Sequence, residues 1–411
     1  MSRLATIRLL RGAAALACLL LGARAGLAGP ERYLYVWAGD QARQAPDFLA
    51  VVDFDERSPD YGKLIATVPL PPPGESGNEP HHVGLSADGR VLATGGLLSV
   101  LKGQKEIFFW DVSQPAAPRF IAAADPPQSA ITDEFYPLAG GGFLVTMMGG
   151  AQGHAPGRVV ELDRHLRLVA EHPDHPPADG FNPHGISVRP EVNLMVTSDF
   201  ICPSTTLAAM PGGLVLRGSV RVWDFARRRI LRTVEIPAAG GTIDVKLIPG
   251  DHKLRAFTAG MSDDKLYLVD TLRGTASAVF DFAAITPGGW PQLMRITRDG
   301  RRLFVSMNVA GKVAMLDVAD PERPRLLAAL DLGKDSGPHY IALSDDERRL
   351  VITDYFLNED AAGKVHAEGD HRVHVALVSE HDLVLDPRFV LDFNQLPDGR
   401  GPARPHGVAM K

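Results

Sequence analysis

The stretch that decides the fold is GPHYIALSDDERRLVITD (residues 337–354), in which a Pro-His pair opens two short apolar runs separated by an acidic turn. The same order occurs much earlier in the chain, in EPHHVGLSADGRVLATG (residues 79–95). Two apolar, alternating runs joined by a turn predict a β-hairpin. A hairpin that recurs in this form predicts a fold built from repeated units, in which side chains at equivalent positions meet in space.

Hairpins of this kind recur at steps of about 50 residues. The residues that open their first strands are His81, Asp133 or Glu134, His184, Asp244 or Ile243, Gln292, His339 and His406. Seven units of about four strands each predict an all-β, seven-bladed β-propeller. The last unit supplies one strand, HGVAM, whereas YLYVW, FLAVVDFD and KLIATV precede the first unit. We therefore expect the C-terminal strand to pair with the N-terminal strands and close the ring.

The composition is that of a soluble globular protein, with 45% hydrophobic and 22% charged residues among 411. A net charge of −6 without a basic block argues against a nucleic-acid partner. Residues 1–28 run from basic to apolar to small, which is typical of a secretory signal, and the apolar run is too short to span a bilayer. We expect residues 29–411 to form one propeller domain that is periplasmic or secreted and has no membrane span.

Four of the seven strand-opening residues are histidines that follow a proline: His81, His184, His339 and His406. The first strand of each propeller blade lines the central channel, so these four side chains are predicted to meet at one mouth of the axis. Neutral imidazole is a good ligand for copper, iron or zinc, which makes this cluster a predicted metal site. Two other interpretations stay open, namely a structural unit copied from blade to blade and a site for an anion.

Further residues are predicted around this cluster. A metal-bound imidazole needs a hydrogen-bond acceptor on its other ring nitrogen. The candidates for this outer support are Glu79, Asp133, Glu134 and Asp244. Each of these could equally be a solvated charge at the rim of the channel. Candidate walls of a small apolar pocket, with ordinary blade packing as the alternative, are Phe181, Trp290 and Tyr340.

The remaining histidines and the cysteine are predicted to lie outside the site. In an extended strand His82 would point to the face opposite His81. A loop or surface position is expected for His154, His366, His371 and His374. Once residues 1–28 are removed, Cys202 is the last cysteine, so no intrachain disulfide is possible and its role stays open.

The segments EPHHVG, NLMVTSDF, GSVRVWDFARRRILRTVEI and GPHYIALSDDERRLVITDYF resemble the selenium-binding protein family, which includes the methanethiol oxidases. The resemblance implies a seven-bladed propeller and, for bacterial members, a periplasmic copper enzyme. Such an enzyme oxidises a methylated thiol with O2 and water to formaldehyde, hydrogen sulfide and hydrogen peroxide.

The chain departs from the family pattern in two places. The family's cysteine pair after the His-His motif is absent from HHVGLSADGRVLATGG, and its second-blade histidines are replaced near TDEFYPLAGGG. A four-histidine axis looks more like the iron site of the carotenoid cleavage oxygenases.

The expected function is a metal-dependent oxidase or oxygenase, with copper first and iron second. Its substrate would be a small thiol or another small organic molecule, with O2 as a candidate co-substrate. The alternative is a non-catalytic metal- or protein-binding propeller, and turnover would distinguish the two.

Overall fold

The computed structural model describes residues 31–177, 180–207, 214–354, 356–359 and 365–411. The predicted signal segment, residues 1–28, therefore lies outside the described residues. No helix in the described ranges is long and apolar enough to cross a membrane.

Nearly all regular structure is β. The strands of the described ranges are, in chain order, β1 (Tyr33–Asp40), β2 (Phe48–Asp53), β3 (Leu64–Pro69), β4 (Pro80–Leu85), β5 (Val91–Gly96), β6 (Ile107–Asp111), β7 (Arg119–Ala124), β8 (Ser129–Pro137), β9 (Phe143–Gly150), β10 (Arg158–Leu162), β11 (Leu168–His172), β12 (Pro183–Arg189), β13 (Leu194–Ile201), β14 (Leu216–Asp224), β15 (Arg229–Glu235), β16 (Thr242–Leu247), β17 (Arg255–Gly260), β18 (Lys265–Asp270), β19 (Thr275–Asp281), β20 (Pro291–Ile296), β21 (Arg302–Met307), β22 (Lys312–Asp317), β23 (Arg325–Asp331), β24 (Pro338–Leu343), β25 (Arg349–Asp354), β26 (Phe356–Glu359), β27 (Val365–Glu368), β28 (Arg372–Val378), β29 (Leu383–Leu385), β30 (Leu391–Asp392) and β31 (Ala403–Met410). Short helical turns cover Ser99–Lys102, Pro190–Val192, Ser204–Leu207 and Phe282–Ala284.

Apart from the two-stranded sheet β26–β27, these strands form seven antiparallel sheets arranged as the blades of a ring. Blades 1 to 5 are β4–β7, β8–β11, β12–β15, β16–β19 and β20–β23. Blade 6 contains β24, β25, β28, β29 and β30, with the hairpin β26–β27 inserted between β25 and β28, and blade 7 is β31 with β1, β2 and β3. The first strands contact one another consecutively, from β4 round to β31 and back to β4. The prediction of a seven-bladed propeller is confirmed.

Blade 7 closes the ring with strands from both ends of the described chain. β31 pairs antiparallel with β1, for instance Leu34 with Met410 and Val36 with Val408. The carbonyl of Lys411 accepts the N–H groups of Arg32 and Tyr33 at 2.7 Å. This pairing leaves neither end of the ring with an exposed strand edge, and it confirms the predicted closure.

The core lies between adjacent blades, which explains why so many strands are apolar on both faces. In β1 the side chains of Tyr35 and Trp37 pack against Trp110 of blade 1. Leu34 and Val36, which alternate with them, pack in the cluster that contains the apolar residues of blade 6. Successive strand residues point to opposite faces, so each blade contributes one row of side chains to each of two layers.

A bulge recurs at the start of the innermost strands. In blade 1 the register between β4 and β5 shifts between Pro80 and Val83, and blades 2 to 6 show the same irregularity at the equivalent place. A bulge inserts one residue and breaks the strict alternation of side chains. Two consecutive residues at this point can therefore both face the axis.

Candidate metal centre

The structure brings the four strand-opening histidines together at one end of the axis, and it adds a fifth, His82. All five side chains are buried. Their ring centroids lie 4.3 to 6.2 Å apart in the pairs His81–His82, His81–His184, His81–His339, His81–His406, His82–His184, His82–His339, His82–His406 and His339–His406.

The prediction that His82 points away from His81 is wrong. The two rings are stacked, with centroids 4.3 Å apart and planes only 4° from parallel. The bulge between Pro80 and Val83 is the reason, because it removes the alternation on which the prediction rested.

Glycines allow the innermost strands to come this close. A Cβ atom on Gly407 would lie 2.4 Å from the carbonyl oxygen of His81, and one on Gly185 would lie 2.6 Å from Asp244 Oδ1. Both contacts are too short for any side chain. The Pro-His-Gly sequences of blades 3 and 7 thus combine a histidine for the axis with a glycine for close packing.

Asp133 of β8 lies among the histidines. Its Oδ1 atom is 2.9 Å from His81 Nε2 and 3.3 Å from His184 Nε2. Burial raises the pKa of Asp133 to about 7, although the neighbouring His184 opposes the shift. Asp133 Oδ1 is thus shared by two imidazoles and lies next to ring nitrogens that would bind a metal. The sequence had predicted this carboxylate as an acceptor on the other nitrogen of a metal-bound ring.

Acceptors lie beside two other histidines. Gln292 Oε1 is 2.5 Å from His339 Nδ1, and an amide oxygen only accepts hydrogen bonds, so the proton of the His339 ring sits on Nδ1 and the lone pair on Nε2. Glu134 Oε2 is 3.2 Å from His82 Nδ1, close enough for an ion-pair contact, but the two atoms do not form a hydrogen bond. Glu134 lies where outer support was predicted. Gln292 was missed as a site residue, although its strand-opening position in blade 5 was the available signal.

Glu79 and Asp244, also predicted as outer support, are held by cations among the described residues. Glu79 forms ion pairs with Arg404 and with Arg43. Asp244 Oδ1 accepts from Lys246 Nζ at 2.8 Å. Both carboxylates compensate buried positive charge instead of orienting an imidazole.

Of the three predicted pocket walls, only Tyr340 packs on the cluster. Its ring lies 4.9 Å from that of His82, and its hydroxyl donates to the carbonyl of Val83 at 3.2 Å. Phe181 is fully buried between blades against Trp223, where it contributes ordinary packing.

Trp290 lies in the loop before β20. It is half-buried, and its backbone N–H donates to Asp264 Oδ1 at 3.1 Å. Sequence reasoning missed Phe200, whose ring meets that of His184 edge-on at 5.3 Å. Its position near the end of the second strand of blade 3 gave only a weak signal.

The other histidines lie elsewhere. His154 is exposed in a loop, as predicted. His371 is buried and contacts Asn394 Oδ1 at 3.0 Å, so its expected surface position is wrong, and His374 contacts Asp370. The side chain of His366 lies outside the described residues. Cys202 is half-buried beside Ser204, with its Sγ 3.3 Å from the serine hydroxyl.

Burial lowers the pKa of all five clustered histidines, to about 3 for His81. For His82, His339 and His406 the neighbouring imidazoles lower the pKa further. For Glu134 burial acts to raise the pKa, but Arg295 and Lys246 outweigh it and lower the pKa. The cluster therefore presents neutral imidazoles, which is the protonation state that binds metals.

The donor set fits a transition metal. Five neutral nitrogens and one carboxylate oxygen are the ligand types that copper, iron and zinc accept. Asp133 Oδ2 and His184 Nδ1 are buried and make no hydrogen bond with the described residues. Buried polar atoms are rarely left in this state, which is consistent with a group that the protein chain alone does not supply.

The fold and site define a closed seven-bladed propeller with a buried histidine centre on its axis. The chain matches the family model described as 56kDa selenium binding protein over residues 22–411, and it belongs to that family. The prediction of the family is confirmed.

The chain is also similar to named relatives and to a solved structure. It is 26% identical to a methanethiol oxidase of Hyphomicrobium sp, over 91% of this chain and 86% of the relative, and 25% identical to a methanethiol oxidase of Homo sapiens, over 88% and 89%. A solved hypothetical selenium-binding protein from Sulfolobus tokodaii shares the fold, with a TM-score of 0.75 at 18% identity over 93% and 94% of the two chains. The relatives carry the name of an oxidoreductase over most of both chains, which confirms the prediction of an enzyme.

Proposed function

We propose that this protein is a periplasmic, metal-dependent oxidase of a small thiol, similar to the methanethiol oxidases, with copper as its preferred metal and iron second. The observation that carries the proposal is the buried group of five imidazoles and Asp133 on the propeller axis. The names of the relatives supply the substrate class.

Copper is favoured by the donors. Nitrogen-rich sites bind Cu(II) most tightly among the divalent first-row metals, and imidazole also suits iron. A bound copper would supply one-electron redox chemistry and an attachment point for a thiolate.

The overall reaction converts CH3SH, O2 and H2O to HCHO, H2S and H2O2. The carbon–sulfur bond breaks, the methyl carbon is oxidised by two electrons, and O2 is reduced by two electrons, so atoms and electrons balance.

The chain's own residues would bind the metal, exclude water and contact the methyl group of the substrate. The candidate ligands are the five histidines and Asp133. Burial of these side chains keeps bulk water from the site. The rings of Phe200 and Tyr340 flank the cluster, and Phe200 packs on an apolar patch that includes Ile131 and Met148. These surroundings suit a small apolar thiol better than a charged substrate.

The test uses the full chain purified from its native host, with bound metal measured by mass spectrometry and O2 uptake measured with methanethiol. We expect copper or iron in the protein, together with O2 uptake and formaldehyde. His184→Ala should lower metal content and O2 uptake together, and His154→Ala, in an exposed loop, should change neither. Absence of a redox metal would refute the proposal. Bound metal without O2 uptake would indicate a carrier instead.

Export is tested separately. The order of basic, apolar and small residues in segment 1–28 motivates it. The mature protein should begin near Gly26 or Gly29, and mass spectrometry of the native protein would contradict this if it found an intact Met1 end.

A further inference from the structure

We propose that the histidine cluster binds two metal ions side by side, one at His81, Asp133 and His184 and the other at His82, His339 and His406. The inference rests on the proposed metal dependence and goes beyond it, because a single ion would suffice for that proposal. Each set supplies three buried donors, and the donor atom of His82 also comes within 4.8 Å of those of the first set.

The stacking of His81 and His82 argues against one shared ion. The lone pair of an imidazole nitrogen lies in the plane of its ring. Two stacked rings whose planes are 4° from parallel hold their lone pairs in two separate and nearly parallel planes, and lines in two such planes do not meet at one ion. Each of the two rings therefore serves an ion of its own.

The first subsite is centred on Asp133. Its Oδ1 atom lies 2.9 Å from His81 Nε2 and 3.3 Å from His184 Nε2, and the two imidazole planes are 86° apart. The three donors thus approach a common point from different directions. Donors bound at about 2.1 Å from one ion lie at most about 4.2 Å apart. These donors are within 4.8 Å of one another, so small side-chain movements complete the site.

The second subsite is centred on a close pair of nitrogens. His82 Nε2 lies 3.4 Å from His339 Nε2. Gln292 holds the proton of the His339 ring on Nδ1, so the lone pair of His339 Nε2 faces His82 Nε2 across that distance. The separation is within the roughly 4.2 Å that two donors of one ion can span. The ring of His406 is inclined by 83° to that of His339, at 5.0 Å, and by 69° to that of His82, at 5.4 Å, and it completes three donors.

The topology separates the two subsites. The donors of the first come from β4, β8 and β12, which are neighbours in one direction around the ring, and those of the second come from β4, β24 and β31, which are neighbours in the other direction. Only β4 serves both. It can do so because its bulge turns both His81 and His82 toward the axis.

The experiment counts metal in the full-length protein after loading with excess Cu(II) and gel filtration. We expect two copper ions per chain. Asp133→Asn and His406→Ala should each retain one, and His154→Ala should retain two. In the parent protein, magnetic coupling should make the electron paramagnetic resonance signal account for less than the total copper, and each single-site variant should recover a full spin per copper.

The outcomes separate this inference from the proposed function. One copper per parent chain, with a full spin, would overturn the two-ion site and leave a metal-dependent oxidase standing. No retained copper would overturn the two-ion site and copper as the preferred metal. The number of copper ions per parent chain tests the two-ion site even if a variant fails to fold.

Discussion

Replacing Glu106 with glutamine should remove part of the pH dependence of stability, because this carboxyl is buried and forms no ion pair with the described residues. Its Oε2 accepts the N–H of Ile131 at 2.9 Å, and its backbone carbonyl accepts the hydroxyl of Thr132 at 2.9 Å. Ile131 has a φ of 68°, which is unfavourable for a β-branched residue. Glu106 thus secures the strained start of β8 just before Asp133, and glutamine can keep the acceptor.

The magnitude follows from the pKa. Burial raises the pKa of Glu106 from 4.5 to about 8, although the hydrogen bond from Ile131 opposes the shift. Below pH 4.5 the carboxyl is protonated in both states. Between pH 4.5 and 8 the unfolded chain loses its proton while the folded chain keeps it, so stability falls as pH rises. At about 1.4 kcal/mol per pH unit, the loss between pH 5 and 8 is at most about 3–4 kcal/mol.

The assay is urea unfolding of the parent and Glu106→Gln at pH 5 and pH 8. Glutamine has no charge to bury, so the variant should gain stability relative to the parent by a few kcal/mol between the two pH values. Glu380→Gln, at an exposed side chain, is the matched control and should show no such gain. A difference between Glu106→Gln and the parent that is the same at both pH values would refute the reasoning.

Three further predictions concern closure and the metal centre. Deleting residues 403–411 removes β31, the innermost strand of blade 7, and should abolish cooperative thermal unfolding; an unchanged melting temperature would contradict the closure. Gln292→Leu removes the acceptor of His339 Nδ1 and should weaken copper binding about 10–100-fold in a chelator competition, whereas Gln292→Glu keeps an acceptor and should retain most of the affinity; equal affinities of the two variants would count against this positioning role. Burial lowers the pKa of His81 to about 3 and lowers the pKa of the other clustered histidines as well, so copper should stay bound on dialysis well below pH ~6.5, the ordinary histidine pKa. A midpoint of copper release near that pH would be inconsistent with the buried site.

The sequence by itself determined the propeller, its closure and the meeting of four histidines. A hairpin is local, so alternating apolar runs and turns reveal it without tertiary information. A repeat of about 50 residues then places equivalent residues at equivalent points of a ring, and this is why His81, His184, His339 and His406 could be expected at one mouth of the axis.

Only the tertiary structure decided which other groups join them. The bulge in β4 turns His82 inward, against the two-residue period of an ideal strand. The partners of each ring come from strands that are distant in sequence, as with Gln292 and His339 or Asp133 and His81. Whether a carboxylate faces an imidazole or a cation depends on distances across the channel of a few ångströms. Those distances are set by how closely the innermost strands pack, and one-dimensional spacing does not encode them.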